Sequence, residues 1–251
     1  MRYLYILSLV FLLGCNSENA SDCFQASGAI VDEIYEVQDF NKIIVWDRVK
    51  LVLVEGPEKR VMVRTGENLL NEIKVRVEDS ILKVSDRNSC NFVRDYSQPT
   101  TVYVTAPVDT LYVRNSSGLT VENIGRITND RIHLLSEDRE EEDEFHTDGD
   151  FNLTNLDVQI LVINANGSST FRLQGKTWLG VFGLSDGDCR IEAENLDVVR
   201  VELFHRSTNK IICSPRQSIK GKIVSVGDVI CKIRPPEVDV EELFQGRLIF
   251  E

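Results

Sequence analysis

Asp148-Gly149-Asp150 and Asp186-Gly187-Asp188 each place two carboxylates one residue apart. Paired hard oxygen donors of this kind are calcium-ligand chemistry. Asp and Gly are equally the residues that close tight turns for backbone reasons, and a turn accounts for both triplets without a ligand. His133, His146 and His205 are isolated, and no CxxC pair or Cys/His cluster at zinc spacing is present. A zinc site or a cysteine nucleophile is therefore not expected. Arg172, Arg190 and Lys210 fall at strand positions without an acid-base constellation evident from spacing, which a glycan-cleaving centre would need. No catalytic residue, metal or cofactor is expected.

Chemistry of another kind belongs to the cysteines. Met1-Arg2-Tyr3 is a short positive start, Leu4 to Leu13 is almost unbroken apolar sequence, and Gly14 leads into Cys15. Ten apolar residues are too few for a bilayer span, which takes about 20 in a helix, and the layout is that of a secretory signal. Leu12-Leu13-Gly14-Cys15 resembles the bacterial lipobox. That resemblance implies cleavage before Cys15 and lipid attachment to its thiol. Each buried methylene contributes about 0.8 kcal/mol, so two or three acyl chains make a lasting anchor.

Five cysteines remain: Cys23, Cys90, Cys189, Cys213 and Cys231. An exported chain meets an oxidising compartment, and the odd count leaves at least one thiol unpaired. Cys23 and Cys90 lie in polar sequence where free thiols would be exposed, and a disulfide between them is expected. Cys189, Cys213 and Cys231 sit among apolar residues, where cysteine serves as a small buried hydrophobe. Cys213 and Cys231 could stack on adjacent strands, although parallel neighbours seldom offer the angle a bridge needs.

The composition is that of an exported globular protein. Removing 14 of 251 residues leaves 237, and 42% hydrophobic content suffices for a large core. Net charge is −12, or −13 without Arg2. Such a field repels nucleic acid and anionic head groups, so membrane contact falls to the N-terminal lipid.

Positioning these residues is the work of strands. Ile43-Ile44-Val45, Val49 to Leu53, Val61-Met62-Val63, Ile73 to Val77, Ile81 to Val84 and Thr101 to Val104 recur with period two, separated by turn residues such as Gly56-Pro57. Only Glu67 to Glu72 could make a helical turn. This pattern predicts a meandering β unit. Beyond about residue 106 a turn followed by an apolar pair repeats, with markers Gly118, Asp150, Thr170, Asp188, Asn209 and Asp228 at intervals of 32, 20, 18, 21 and 19. Such a period predicts stacked coils of about 20 residues, a parallel β-helix or β-solenoid. Its inward residues would be Val121, Leu153, Leu173, Ile191, Ile212 and Cys231. The long first interval holds the acidic insertion 136–144, expected to leave the stack as a solvated loop. The organisation is thus all-β: signal 1–14, tether 15–22, N-terminal β unit 23–105 and solenoid part 106–251 of the same domain.

Asp22-Cys23, Phe40 with Ile43-Ile44-Val45, Glu55-Gly56, Gly66-Glu67-Asn68-Leu69-Leu70, Asn91 with Val93-Arg94-Asp95-Tyr96, Val102 to Pro107, Gly227-Asp228-Val229 and Gly246 to Phe250 together resemble the head GIN domain family. That family is common in Bacteroidetes and carries an auto-transporter adhesin label. The likeness covers nearly the whole mature chain and implies a β-rich fold ending in a parallel β-helix, with no established enzymatic activity. An autotransporter needs a C-terminal membrane barrel, whereas this sequence reaches Glu251 after one further strand.

Two functional classes follow. One is a lipid-anchored binding or scaffold module of the envelope, engaging a protein or glycan. The other is a polysaccharide-acting β-helix lyase or hydrolase, whose acidic substrates the net charge disfavours. Trp46 and Trp178 could stack on sugars or pack in the core. Asn115-Ser116-Ser117, Asn152-Leu153-Thr154 and Asn166-Gly167-Ser168 match the glycosylation sequon, which a bacterial lipobox makes irrelevant. Asn16 after Cys15 differs from the Asp that retains lipoproteins in the inner membrane of enteric bacteria, which points to the outer membrane.

Overall fold

The computed structural model describes residues 27–46, 48–88, 98–138 and 145–251. These form an all-β structure in which seventeen strands join one pairing network, a nearly closed, barrel-like sheet. The period-two runs become β2 (Lys42–Trp46), β3 (Lys50–Val54), β4 (Arg60–Gly66), β5 (Ile73–Glu78), β6 (Ile81–Asp86) and β7 (Thr101–Thr105). Ahead of them β1 (Ile30–Tyr35) lies on β4, and Glu67–Glu72 is the expected helical turn, of 3-10 type. Burial alternates as the sequence predicts: Leu82, Val84 and Asp86 of β6 point inward, with Ile81, Lys83 and Ser85 outward.

A simple meander is not what forms. Antiparallel pairing is confined to β1 with β4, β4 with β7 and β5 with β6. β2 instead pairs parallel with β6 and with β8 (Thr110–Ser116), and β3 parallel with β7 and β9 (Val121–Ile124). Both edges of β2 and β3 are then paired, and their uninterrupted apolar runs Ile43-Ile44-Val45 and Leu51-Val52-Leu53 are buried. A polar cluster closes one end of this half. Thr100 donates to Asp86 at 2.7 Å, Thr65 and Thr100 share a hydrogen bond of 2.9 Å, and Asn88 donates to the Leu69 carbonyl at 3.0 Å.

From β8 onward every pairing is parallel. β10 (Arg131–Ser136) lies between β8 and β11 (Phe151–Ala165). It is followed by β12 (Thr170–Leu184), β13 (Arg190–His205), β14 (Ile211–Ile223), β15 (Val229–Cys231), β16 (Glu237–Glu242) and β17 (Leu248–Phe250). Val121, Phe151, Phe171, Ile191, Ile211, Val229 and Leu248 are successive Cα partners, in steps of 30, 20, 20, 20, 18 and 19 residues. A second inward column runs through Val113, Leu134, Ile163, Phe182 and Leu203. The Phe151 and Phe171 rings stack with centroids 4.9 Å apart, a contact that adds about 0.5–1.5 kcal/mol beyond burial.

The register corrects the expected inward set. Val121 and Ile191 belong to the first column, whereas Leu153, Leu173 and Cys231 lie two residues further along, in the pairings Leu153 with Leu173 and Ala193 with Cys213 and Cys231. All five are buried, but Ile212 is half-exposed between buried Ile211 and Cys213. Asn209 is one residue out of step as a turn marker, and a one-residue slip reverses the face of a strand.

The rungs are also longer than short strands after turns. β11 to β13 run 15 or 16 residues and turn a corner through irregular pairing, as between Leu153 and Leu156 of β11 where it pairs with β12. Gly175 makes the corner of β12 with φ of 125°, where a Cβ would lie 2.3 Å from the Leu156 carbonyl oxygen. The insertion 136–144 begins later than expected. Ser136 is fully buried as the last residue of β10 and hydrogen-bonds Ser169, while Asp138 exchanges hydrogen bonds of 3.1 and 2.9 Å with Asn166. Residues 139–144 lie outside the described residues.

Candidate functional site

Where β1, β4, β7, β3 and β9 run side by side, their outward residues form rows. Ile34, Met62, Tyr103 and Val52 are successive Cα partners, and Val54 pairs with Ile124 in the neighbouring row. Ile34, Met62, Tyr103, Val54 and Ile124, with the Gly56-Pro57 turn and Tyr35-Glu36-Val37, line a groove of about 590 Å³. Ile34 and Ile124 are 54% and 56% exposed, far more than large aliphatic side chains on a covered sheet. A second recess of about 420 Å³ shares Val54 to Pro57 and continues to Asp109, Asn129 and Asp130.

Ion pairs hold the polar groups beside these apolar walls. Arg64 grips Asp32 through two bonds of 2.7 and 2.8 Å, and its guanidinium lies 5.5 Å from the centre of the Tyr103 ring. The hydrogen bond from Arg64 holds the Asp32 carboxyl below the usual carboxylate range. Lys59 does the same to Asp39 at 2.6 Å. Glu55, between the two recesses, accepts from the Arg126 amide at 2.9 Å and its guanidinium at 3.2 Å, and the amide bond is the main reason its carboxyl is also held low. Burial pushes the Tyr35 hydroxyl up. Ionised carboxylates accept hydrogen bonds from a ligand, and a neutral phenol both donates and accepts them. The arrangement is suited to noncovalent capture of an amphipathic surface.

Cys15, Cys23 and Cys90 lie outside the described residues. Cys189, Cys213 and Cys231 are buried free thiols. The Asp-Gly-Asp triplets sit at turns: Asp150 accepts from the Thr170 amide at 2.8 Å, Asp186 from the Gly187 amide at 2.9 Å and Asp188 from the Thr208 hydroxyl at 2.8 Å. Among the described residues no group of three or more His, Cys, Asp or Glu converges to hold a metal. His133 packs on Tyr112 at 4.4 Å, and His205 is fully buried. Trp46 is half-buried against Phe145, whereas Trp178 is 48% exposed beneath Arg200.

One arrangement escaped the spacing argument. Arg172 stands between Asp150 at 3.0 Å and Glu192 at 3.3 Å, and Glu192 also accepts from Arg190 at 2.7 Å. These charges are some 20 residues apart in sequence but occupy adjacent rungs. As partly exposed pairs on the outer face they are modest stabilisers that favour in-register stacking. Neither this ladder nor the groove has a local motif; both come from pairing of strands distant in sequence.

Residues 39–235 match the family described as "Putative auto-transporter adhesin, head GIN domain". No curated protein matches the chain. The fold is shared with a crystal structure of a "putative adhesin" from Bacteroides fragilis at TM-score 0.75 and 19% identity, covering 90% of this chain and 99% of that one. A "putative adhesin" from Parabacteroides distasonis aligns at TM-score 0.63 and 13% identity, over 90% and 99% of the two chains. A "putative lipid binding protein" from the same species aligns at 0.56 and 14%, over 88% and 97%. With the match spanning residues 39–235, well over half of the sequence, the chain belongs to the head GIN domain family.

Proposed function

We propose that this protein is a noncatalytic binding module of the bacterial cell envelope, held at the outer membrane by lipid on Cys15, with the groove between Ile34 and Ile124 as its ligand-binding surface. The observation that carries the reading is the exposure of those two isoleucines at 54% and 56% in a groove of about 590 Å³ whose neighbouring carboxylates are held ionised. Removing such side chains from water on ligand binding is favourable at about 25 cal/mol per Å² of apolar surface. The adhesin label of the family and the lipid-binding description of one structural neighbour agree with an apolar binding surface. The parallel rungs from β9 to β17 act in this reading as one β-solenoid, a stiff wall that holds the groove away from the lipid tether.

Two measurements test it. N-phenyl-1-naphthylamine, a fluorescent apolar probe, is expected to bind the parent and to bind Ile34→Asp/Ile124→Asp at least tenfold more weakly. Equal binding would remove the groove from the proposal. Cys15→Ala is expected to retain its signal or to be released in soluble form. Detergent partitioning like the parent's after signal removal would place the anchor elsewhere. Protease shaving of intact cells, followed by blotting, then decides which face of the outer membrane carries the protein.

A further inference from the structure

On the outer face of β5, β6 and β2, remote from the groove, the charge runs against that of the chain. Arg76 and Lys83 are direct cross-strand partners, Lys74 stands opposite Ser85, and Lys83 adjoins Ile44 on β2. With Trp46 and Arg87 these outward side chains enclose a recess of about 220 Å³. Among the described residues its lining holds four cations and no carboxylate, in a protein with 40 acidic and 28 basic side chains. Glu78, outside the lining at the end of β5, neutralises part of this charge through Lys83 at 2.8 Å and the Arg76 Nε at 3.1 Å. Lys74 spends one donor on the Asn71 carbonyl at 2.7 Å.

We propose that this recess is a second binding site, for an acidic glycan, with uronate or sulfate groups on Lys74, Arg76, Lys83 and Arg87 and a sugar ring against the Trp46 indole. Guanidinium and ammonium groups on one rigid sheet face offer charge-assisted donors to planar carboxylates or sulfates. Phe145 stacks on Trp46 with centroids 5.9 Å apart and rings tilted by 23°, which fixes the indole plane before any ligand arrives. Lysines on an edge strand also deter strand pairing, and β5 is an edge. That role needs neither Trp46, two strands inside the edge, nor Arg87 beyond β6. A net charge of −12 opposes every anionic ligand at long range, an acidic glycan included, so the affinity of this site rests on short-range contacts with its four cations.

The test uses Trp178→Phe protein, in which Trp46 is the remaining tryptophan, titrated with tetragalacturonate, with maltotetraose as the neutral comparator. Tetragalacturonate is expected to change Trp46 emission saturably, to bind several-fold more weakly as salt rises from about 50 to about 200 mM, and to bind Arg76→Gln/Lys83→Gln at least tenfold more weakly. Lys74→Gln/Arg87→Gln, which leaves the Glu78 pairs intact, provides the same comparison should the first pair unfold. Absence of saturable binding, equal binding of maltotetraose, or unchanged affinity in both folded variants would overturn the proposal. Tighter binding of phosphatidylglycerol vesicles through the same four residues would replace it with a membrane contact.

Discussion

Cys213 and Cys231 are direct Cα partners on the parallel strands β14 and β15, with Sγ atoms 3.8 Å apart and no bond between them. A disulfide would need about 2.05 Å. The hydrogen bond with Cys231 and burial push the Cys213 thiol well up, and burial pushes Cys189 up to about 11. The hydrogen bond with Cys213 lowers the Cys231 thiol instead, but all three side chains are fully buried, and covered thiols react slowly. Iodoacetamide is expected to leave Cys189, Cys213 and Cys231 unmodified in folded protein and to label all three in urea. Rapid labelling of any one before unfolding would contradict the packing.

The register makes a paired prediction. Leu173 is 1% exposed opposite Leu153, while Ile212 is half-exposed. Leu173→Asp should cost about 4 kcal/mol or more by urea unfolding, since it buries an unpaired charge, whereas Ile212→Asp should cost about 1 kcal/mol. Equal losses would mean that the face assignment of β14 is wrong.

His205 links stability to acid. It is fully buried in the column Leu184, His205, Ile223, and burial pushes its pKa down from 6.5 to about 4. Between those values the unfolded chain binds a proton that the folded protein refuses. Stability from this group is therefore complete above about pH 6.5, falls as pH drops toward about 4, and changes no further below. The total is on the order of 3 kcal/mol. His205→Leu should remove this part of the acid sensitivity, with stability at pH 7 within about 1.5 kcal/mol of the parent. Parallel pH-stability curves for the two proteins would show that His205 does not titrate this way.

Gly175 allows the corner of β12 to pass close to Leu156. Gly175→Ala combines φ of 125° with a Cβ 2.3 Å from a backbone oxygen. The expected loss is about 3 kcal/mol, read from the urea midpoint. A fall below 1 kcal/mol would imply that the corner can relax.

We propose a disulfide between Cys23 and Cys90, which lie outside the described residues. Ser27 accepts from the Asn68 amide at 3.2 Å, and Asn88 donates to the Leu69 carbonyl at 3.0 Å, so both flanking segments dock on one 3-10 turn. Closing about 68 residues would stabilise by roughly 4 kcal/mol in the chain-entropy model. Peptide mapping of envelope-derived protein without reduction should recover the two cysteines in one linked species; two separate alkylated peptides would exclude the bridge.

Local pattern was enough to determine β2 to β7, the 3-10 turn, the buried character of Cys189, Cys213 and Cys231, and a step near 20 residues, because alternation and turn chemistry act within a few residues of chain. Partner choice was decided only in three dimensions. Nothing around Ile43 or Leu51 says that they join β8 and β9 in parallel, since the backbone hydrogen bonds that select a partner are the same for any strand. The face of Ile212 followed from where Ile211 fits under Ile191, a packing condition that outweighed the turn marker at Asn209. The candidate groove and basic recess arise for the same reason. Ile34, Met62, Tyr103 and Ile124, or Trp46, Arg76, Lys83 and Arg87, are scattered in sequence and become neighbours because strands only about 4.8 Å apart carry them on one face.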